Sequence, residues 1–497
     1  TTCPETSTLP ELAPYRRRRP ERTVLHRVVR EHLETFLQRA REEVLDDDPV
    51  PAHVDRTFRE YLACGLLCHG FARARCPACG LDLLIAFSCK RRGLCPSCEA
   101  RHRAETAAHL VDHVLPRVPV RHWVLSLPRR VRFFCKTSPD LASGMLRVFL
   151  RAVETRVRQR SPDAPRGARF GAVAFEHRGG SFLNENYHWH VRVTEGVFAP
   201  DGQEGAEFFQ ATNLTAADVL QVETQVRRRV LRLLQRRGAL DQAAVDDMLS
   251  WKHQGGFSLD ASTLLAHWDR QGLERLSRYC ARPALSLDRL DRLDDQTLVY
   301  RFPRPAPDGS THLVLTPLDL LARLATLLPP PFRHRVRYFG VLAPNARLRT
   351  AVVASAGPSP ALQAQLHEAA LQMGLAADAQ HGSPAPGAQM PAAPSPEPSP
   401  PQDQAPPATK KPRRPCLAAY CWALLLARLY EALPLKCTRC GAPVTIIAFI
   451  TDPEPIHKIL SHLDEPTEPP PISPARGPPQ EELALDQTLG LPEDTWA

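Results

Sequence analysis

At 497 residues the chain has room for two or three domains with cores of their own, and an apolar share of 43% fits a globular fold. Its formal charge is +9, with 63 Lys and Arg against 54 Asp and Glu; arginine dominates the cations, and its forked guanidinium pairs bidentately with phosphate oxygens. No apolar run reaches the roughly 18 uncharged residues of a membrane span, and Thr1–Pro20 hold no signal-peptide core, so a cytoplasmic protein without a membrane partner is expected. The first residue is Thr1 rather than Met, so a truncated start is expected. The 14 cysteines cluster in pairs, which in a reducing compartment points to metal binding rather than disulfides.

Residues 1–22, with Arg16–Arg19, read as a disordered basic tail. Val24, Val28, Leu33, Phe36 and Leu37 recur at roughly helical spacing and predict a helix over 23–43, ended by Asp46-Asp47-Asp48-Pro49. A second helix is expected over 53–67. Two Cys-x-x-Cys turns follow, Cys76–Cys79 and Cys95–Cys98. Each turn sets two thiolates on one metal, so together they predict one tetrahedral Zn²⁺ on Cys76, Cys79, Cys95 and Cys98. Four sulfurs close the coordination shell, which makes this zinc structural. Cys64, Cys68, His69 and Cys89 lie nearby, as ligands of a second site or as a replacement in the first. Lys90, Arg91 and Arg92 border these cysteines, so residues 23–120 read as a zinc-binding, DNA-contacting domain; for any one cation, a solvated positive face is an equal alternative.

Farther on, His122–Leu127 reads as a strand ended by Pro128, 140–160 as a helix, Ala172–His177 as a second strand and 187–193 as a third. Gly179-Gly180 turns the second strand into the third. Thr215 is placed to cap a long helix that carries Val219, Val222, Val226, Val230 and Leu233 and stops at Gly238. This order predicts an α+β fold, an antiparallel sheet with helices on one face and the other open to ligand, preceded by the helical zinc-binding module. Side chains alternate along a strand, so His188 and His190 share one face while Trp189, Val191 and Val193 share the other. Such a pair can hold a divalent cation, although alone it is more often structural. For a third ligand, alternation favours Glu176 on the open face, with His177 as the rival if a bulge shifts the register. Trp268, Leu273, Leu276 and Tyr279 recur at roughly helical spacing before Pro283, which places Tyr279 on the apolar face of its helix.

Five segments together resemble the HUH-type rolling-circle transposases of the insertion-sequence-91 kind: Phe87–Cys98, Trp123–Pro128, His188-Trp189-His190, Arg278–Pro283 and Tyr338–Asn345. The resemblance spans about 23–350 and 417–463. It implies an HUH-type sheet in a catalytic domain over 121–350. There Tyr279 is the nucleophile, and His188 and His190, with Glu176 or His177, hold Mg²⁺ or Mn²⁺. Some members carry a second tyrosine four residues later; Pro283 stands there, which implies the single-tyrosine branch. The implied activity is nicking and rejoining of single-stranded or extruded DNA at the ends of a mobile element through a 5′-phosphotyrosine, in a bacterial, nucleoid-associated setting. Arg278 and Arg282 would counter phosphate charge, and Trp251 or Trp268 would stack on bases. Tyr338 is the strongest rival nucleophile; Tyr187 adjoins the histidines but should face away from them.

Residues 351–415 are dense in Pro and Ala and read as a linker. Residues 416–463 read as a small module of their own, with a helix over 418–433 and a strand over 444–450. Cys437 and Cys440 form half a zinc site there, for Cys416 and Cys421 to complete. Residues 464–497 read as a disordered acidic tail. Competing readings are a noncatalytic zinc-dependent DNA-binding protein, an inactive transposase remnant and an RNA-binding zinc protein.

Overall fold

The computed structural model describes residues 17–42, 50–91, 93–357, 437–442 and 444–476. The expected helix over 418–433, Cys416, Cys421 and Arg92 lie outside the described residues.

The chain opens with two helices, α1 (Val24–Glu42) and α2 (Ala52–Ala63), close to where apolar spacing predicts them. A hairpin not anticipated from the sequence follows, β1 (Phe71–Arg75) and β2 (Asp82–Ala86), and then α3 (Pro96–His113). Next come β3 (Val120–Ser126), α4 (Arg129–Thr137), α5 (Pro139–Gln159), β4 (Gly171–Gly179) and β5 (Glu185–Thr194). A small ribbon of β6 (Gly196–Pro200) and β7 (Ala206–Gln210) leads to α6 (Ala216–Arg236), where Thr215 and Asp218 form a reciprocal capping box. Such a cap is worth about 1 kcal/mol, and it fixes the helix start where the sequence puts it. After α7 (Gln242–Ser250), β8 (Ser258–Leu265) and α8 (Arg270–Cys280) complete the frame of the candidate site.

The central sheet has the order β12-β4-β5-β3-β8, where β12 spans Val336–Gly340, and every pairing in it is antiparallel. The protein thus has the expected mixed α+β class with antiparallel sheets. One face, with Trp123, Leu125, Ala172, Ala174, Trp189 and Val191, packs on α4 to α7. Trp123 and Trp189 are fully buried there, and burying side chains of this size contributes on the order of 2–3 kcal/mol each. Helices also reach the opposite face: Val173 and Phe175 meet Leu110 and Val111 of α3 and Leu273 and Cys280 of α8.

A second sheet, β9 (Leu290–Arg292), β10 (Leu298–Arg301) and β11 (His312–Leu315), joins α9 (Pro317–Leu327) and shares one core with α1 and α2. α10 (Arg349–Val353) follows β12. The C-terminal segment, expected as a small module of its own, meets the N-terminal hairpin. Its strand β13 (Thr445–Ile450) pairs with β1, and its helix α11 (Pro453–His462) packs on Phe71. Among the described residues no helix is long and apolar enough to cross a membrane.

Candidate metal and tyrosine site

Strand pairing builds the histidine cluster. In β4–β5 the partners are Phe175↔His190 and His177↔His188, and residues directly opposite share a face. In β3–β5, His122 lies opposite Arg192 and Val124 opposite His190. His122, His177, His188 and His190 therefore lie on one face. The register shift in β4 falls beyond His177 and leaves this alternation intact.

Glu176 lies opposite Trp189, on the other face, which corrects the choice of Glu176 as companion of the histidine pair. Its buried carboxylate takes Arg333 Nε at 2.7 Å and Arg337 Nη2 at 3.5 Å. Alternation alone misassigned it because both faces of β4 are covered, so the apolar character of Val173 and Phe175 did not mark the side away from the histidines.

His188 Nδ1 donates to the Asn186 carbonyl at 2.7 Å, and His177 Nε2 donates to the Cys280 carbonyl at 2.5 Å. His190 Nδ1 lies 3.0 Å from His122 Nε2. With His190 Nδ1 as the donor there, the Nε2 lone pairs of His188 and His190 face each other at 3.1 Å. Lone pairs at that distance repel, and a shared cation removes the repulsion, so the donor set fits a metal ion. One nitrogen from each of His177, His188 and His190 lies within 4.8 Å of the others. Burial is the leading cause that lowers the pKa of all four histidines below the ordinary 6.5; for His122 burial, then Arg192, pushes it down to about 4. Neutral imidazoles keep the lone pairs that a metal needs. His122 and Cys280, whose Sγ is 3.5 Å from His122 Nε2, were given no role from sequence, although His122 stands in a correctly read strand.

Tyr279 sits in the last turn of α8 and is 44% exposed, not part of the core that helical spacing suggested. Its ring stands edge-on to His190, with centroids 5.7 Å apart, and Arg282 lies 4.3 Å from its ring centre. Both line a cleft of about 340 Å³ with Arg103, Arg178, Arg289 and Arg335. The other tyrosines among the described residues are placed differently. Tyr187 faces the core beside Trp189 and takes a hydrogen bond from Arg333 at 2.6 Å. Tyr338 lies on β12 under Arg349, while Tyr61 and Tyr300 are buried with α1 and α9. Arg278 pairs with Glu274 at 2.8 Å. Trp268 is 71% exposed and Trp251 is 36% exposed, rather than core.

Among the described residues, eight cysteines form two clusters, and neither is the expected set of Cys76, Cys79, Cys95 and Cys98. Cys95 and Cys98, at the start of α3, gather with Cys64 and Cys89, with Cys64 Sγ at 3.5 Å from Cys95 and 3.7 Å from Cys98. The start of a helix stabilises thiolates, and Arg18 Nη2 donates to Cys64 Sγ at 3.4 Å. Cys76 and Cys79 gather instead with Cys437 and Cys440. His69 and Cys68 belong to neither cluster. These clusters are consistent with structural zinc. Lys90 lies exposed near the first cluster, and Arg91 there is bound to Glu60.

Residues 28–127 match the family model described as a transposase zinc-binding domain, and residues 171–349 match the one described as a putative transposase. The chain is thus of the transposase class, with a zinc-binding domain ahead of a separate putative-transposase domain. More narrowly, its zinc-binding domain is of the insertion-sequence-91 type, and the pair is consistent with an HUH rolling-circle transposase. No curated protein and no solved structure matches the chain.

Proposed function

We propose that this protein nicks and rejoins single-stranded DNA at the ends of a mobile element, with Tyr279 as the nucleophile. The observation that carries this reading is the placement of Tyr279, exposed, edge-on to His190, and at the rim of an arginine-lined cleft. His177, His188 and His190 would hold the divalent cation. When bound, the cation supplies Lewis acidity toward a scissile phosphate. Three imidazoles without a carboxylate suit a transition metal such as Mn²⁺ better than Mg²⁺, which prefers oxygen ligands.

Arg103, Arg178, Arg282 and Arg289 would seat the phosphate backbone in the cleft. Tyr279 Oη gives up its phenol proton to solvent, attacks phosphorus and forms the new P–O bond; the bond to the 3′ oxygen breaks, and that oxygen takes a proton from solvent to become a 3′-OH. The phosphotyrosine keeps the phosphodiester energy, so a later 3′-OH can displace Tyr279 and reseal the strand without ATP. Arg282, above the ring, is placed to counter the charge of a phosphate held beside Tyr279. Trp268, exposed at the other end of α8, offers a flat surface for a base.

The test is incubation of the full chain with Mn²⁺ and end-labelled single-stranded oligonucleotides from the DNA flanking its coding segment. The expected result is an adduct that survives denaturation. Tyr279→Phe should lower its yield by roughly 10³-fold or more while DNA binding persists. An adduct retained by Tyr279→Phe removes Tyr279 from the role. DNA binding with no adduct from the unaltered chain favours the noncatalytic DNA-binding reading.

A further inference from the structure

Two Cys-x-x-Cys-Gly segments, Cys76–Gly80 and Cys437–Gly441, fold into the same turn. Gly80 and Gly441 have φ of +72° and +73°, which a residue with a Cβ rarely adopts. In each turn the first cysteine N–H donates at 2.8 Å to the residue after the glycine, Cys76 to Leu81 and Cys437 to Ala442. In each, the glycine N–H donates back to the first cysteine, at 2.9 Å for Gly80 and 3.0 Å for Gly441. The two turns meet beside β1 and β13, whose antiparallel register runs from Phe71↔Ile450 to Arg75↔Thr445.

This opposition brings Cys76 Sγ to 3.5 Å from Cys440 Sγ and Cys79 Sγ to 3.4 Å from Cys437 Sγ. All four sulfurs lie within 4.8 Å of one another. A tetrahedral zinc with Zn–S of about 2.3 Å sets its sulfurs about 3.8 Å apart. A disulfide needs about 2.05 Å. The spacing is that of one shared ion. The buried apolar groups of this sheet and its helix make two small cores, one of Ala74, Cys76, Cys437 and Val444 and one of Leu67, Phe71, Ile456 and Leu460. Cores this small need a metal or a similar staple to hold a three-stranded sheet together.

We propose that Cys76, Cys79, Cys437 and Cys440 bind a second structural Zn²⁺, and that this ion fastens the C-terminal segment to the N-terminal domain across 358 positions of sequence. Two of the four ligands, Cys437 and Cys440, lie outside both family-matched segments. The zinc-binding domain is in this respect incomplete without a strand contributed from the far end of the chain.

The test uses the full chain carrying His190→Ala, so that the histidine cluster adds no ion, and counts zinc by native mass spectrometry. Two tightly held ions are expected, and one after Cys437→Ser with Cys440→Ser. A count of two in that variant overturns the proposal, as does a count of one in its parent. A protease site inserted after residue 390 gives a readout that leaves the ligands unaltered. The cleaved fragments should co-elute on a sizing column with two zinc ions. Fragments that separate with zinc present overturn the proposal, and so do sulfurs at these four positions that resist alkylation until a reductant is added.

Discussion

Glu176 and His177 are neighbours in β4 that serve opposite faces of the sheet. Glu176 anchors Arg333 and Arg337 within the larger core, whereas His177 points at His188 and His190. Their substitutions should therefore separate metal binding from stability. Glu176→Gln is expected to leave Mn²⁺ affinity within about twofold, but to cost roughly 3 kcal/mol, because it strands buried arginine charge. His177→Ala should weaken Mn²⁺ binding by at least roughly tenfold. Calorimetric titration beside urea denaturation of each variant checks both, and a loss of affinity confined to Glu176→Gln would reverse the assignment. At this level the sequence was informative about residue types and less so about facing. The shared face of His188 and His190 was legible, because a period of two marks it, whereas the exposure of Tyr279 was not, because helical spacing assigned it to the apolar face. His122 was not, because its role appears only when β3 lies beside β5 and brings its Nε2 to 3.0 Å from His190.

Elements with strong local signals formed where expected. α6 starts at its Thr215–Asp218 box, α5 starts at Ser138, whose side chain accepts from Leu141 N–H, and β5 carries the alternation read from its sequence. Elements defined by their partners were missed: β1 and β2, the β9–β11 sheet, and β8, whose burial pattern barely alternates. The end of β4 depends on such a partner. A Cβ added at Gly179 would lie 2.5 Å from Ala284 Cβ and 3.3 Å from Leu327 Cδ2. Ala284 follows Arg282 and Pro283 in the segment leaving α8, so Gly179→Ala should push that segment away from the sheet. A stability loss of about 1–3 kcal/mol is expected, together with weaker binding of single-stranded DNA as Arg282 shifts. Gly180, one residue on, belongs to the turn, where Asn184 Oδ1 would lie 2.3 Å from an added Cβ. A Gly179→Ala chain as stable as its parent would show that the 281–286 segment is free to yield.

Long-range closure is where the sequence was least legible. Two Cys-x-x-Cys turns fifteen residues apart looked like one site, yet each finds its partners elsewhere, one at Cys64 and Cys89 and the other at Cys437 and Cys440. Spacing reports which cysteines can share a turn, not which turns meet. The same closure buries histidines across the molecule, and this gives the fold a pH dependence. His26 and His32 in α1, and His122, His177, His188 and His190 in the sheet, are all held below 6.5, with burial as the leading cause. In the unfolded chain these side chains take up protons as pH falls through about 6.5, while in the folded chain they stay neutral. The unfolded state then binds more protons, so stability rises with pH through this window and is lost as pH falls. For His122 alone, the depression from 6.5 to about 4 corresponds to roughly 3 kcal/mol once pH lies below both values. Urea midpoints of the full chain, followed by tryptophan fluorescence with zinc content monitored, should fall between about pH 7.5 and 5.5. His122→Phe removes one proton acceptor from both states, and its curve should be measurably flatter. Saturating Mn²⁺ should raise the midpoint most at neutral pH, because the ion requires the neutral imidazoles that acid removes. A midpoint unchanged over this range would mean that the buried histidines take up protons alike in the folded and unfolded chains.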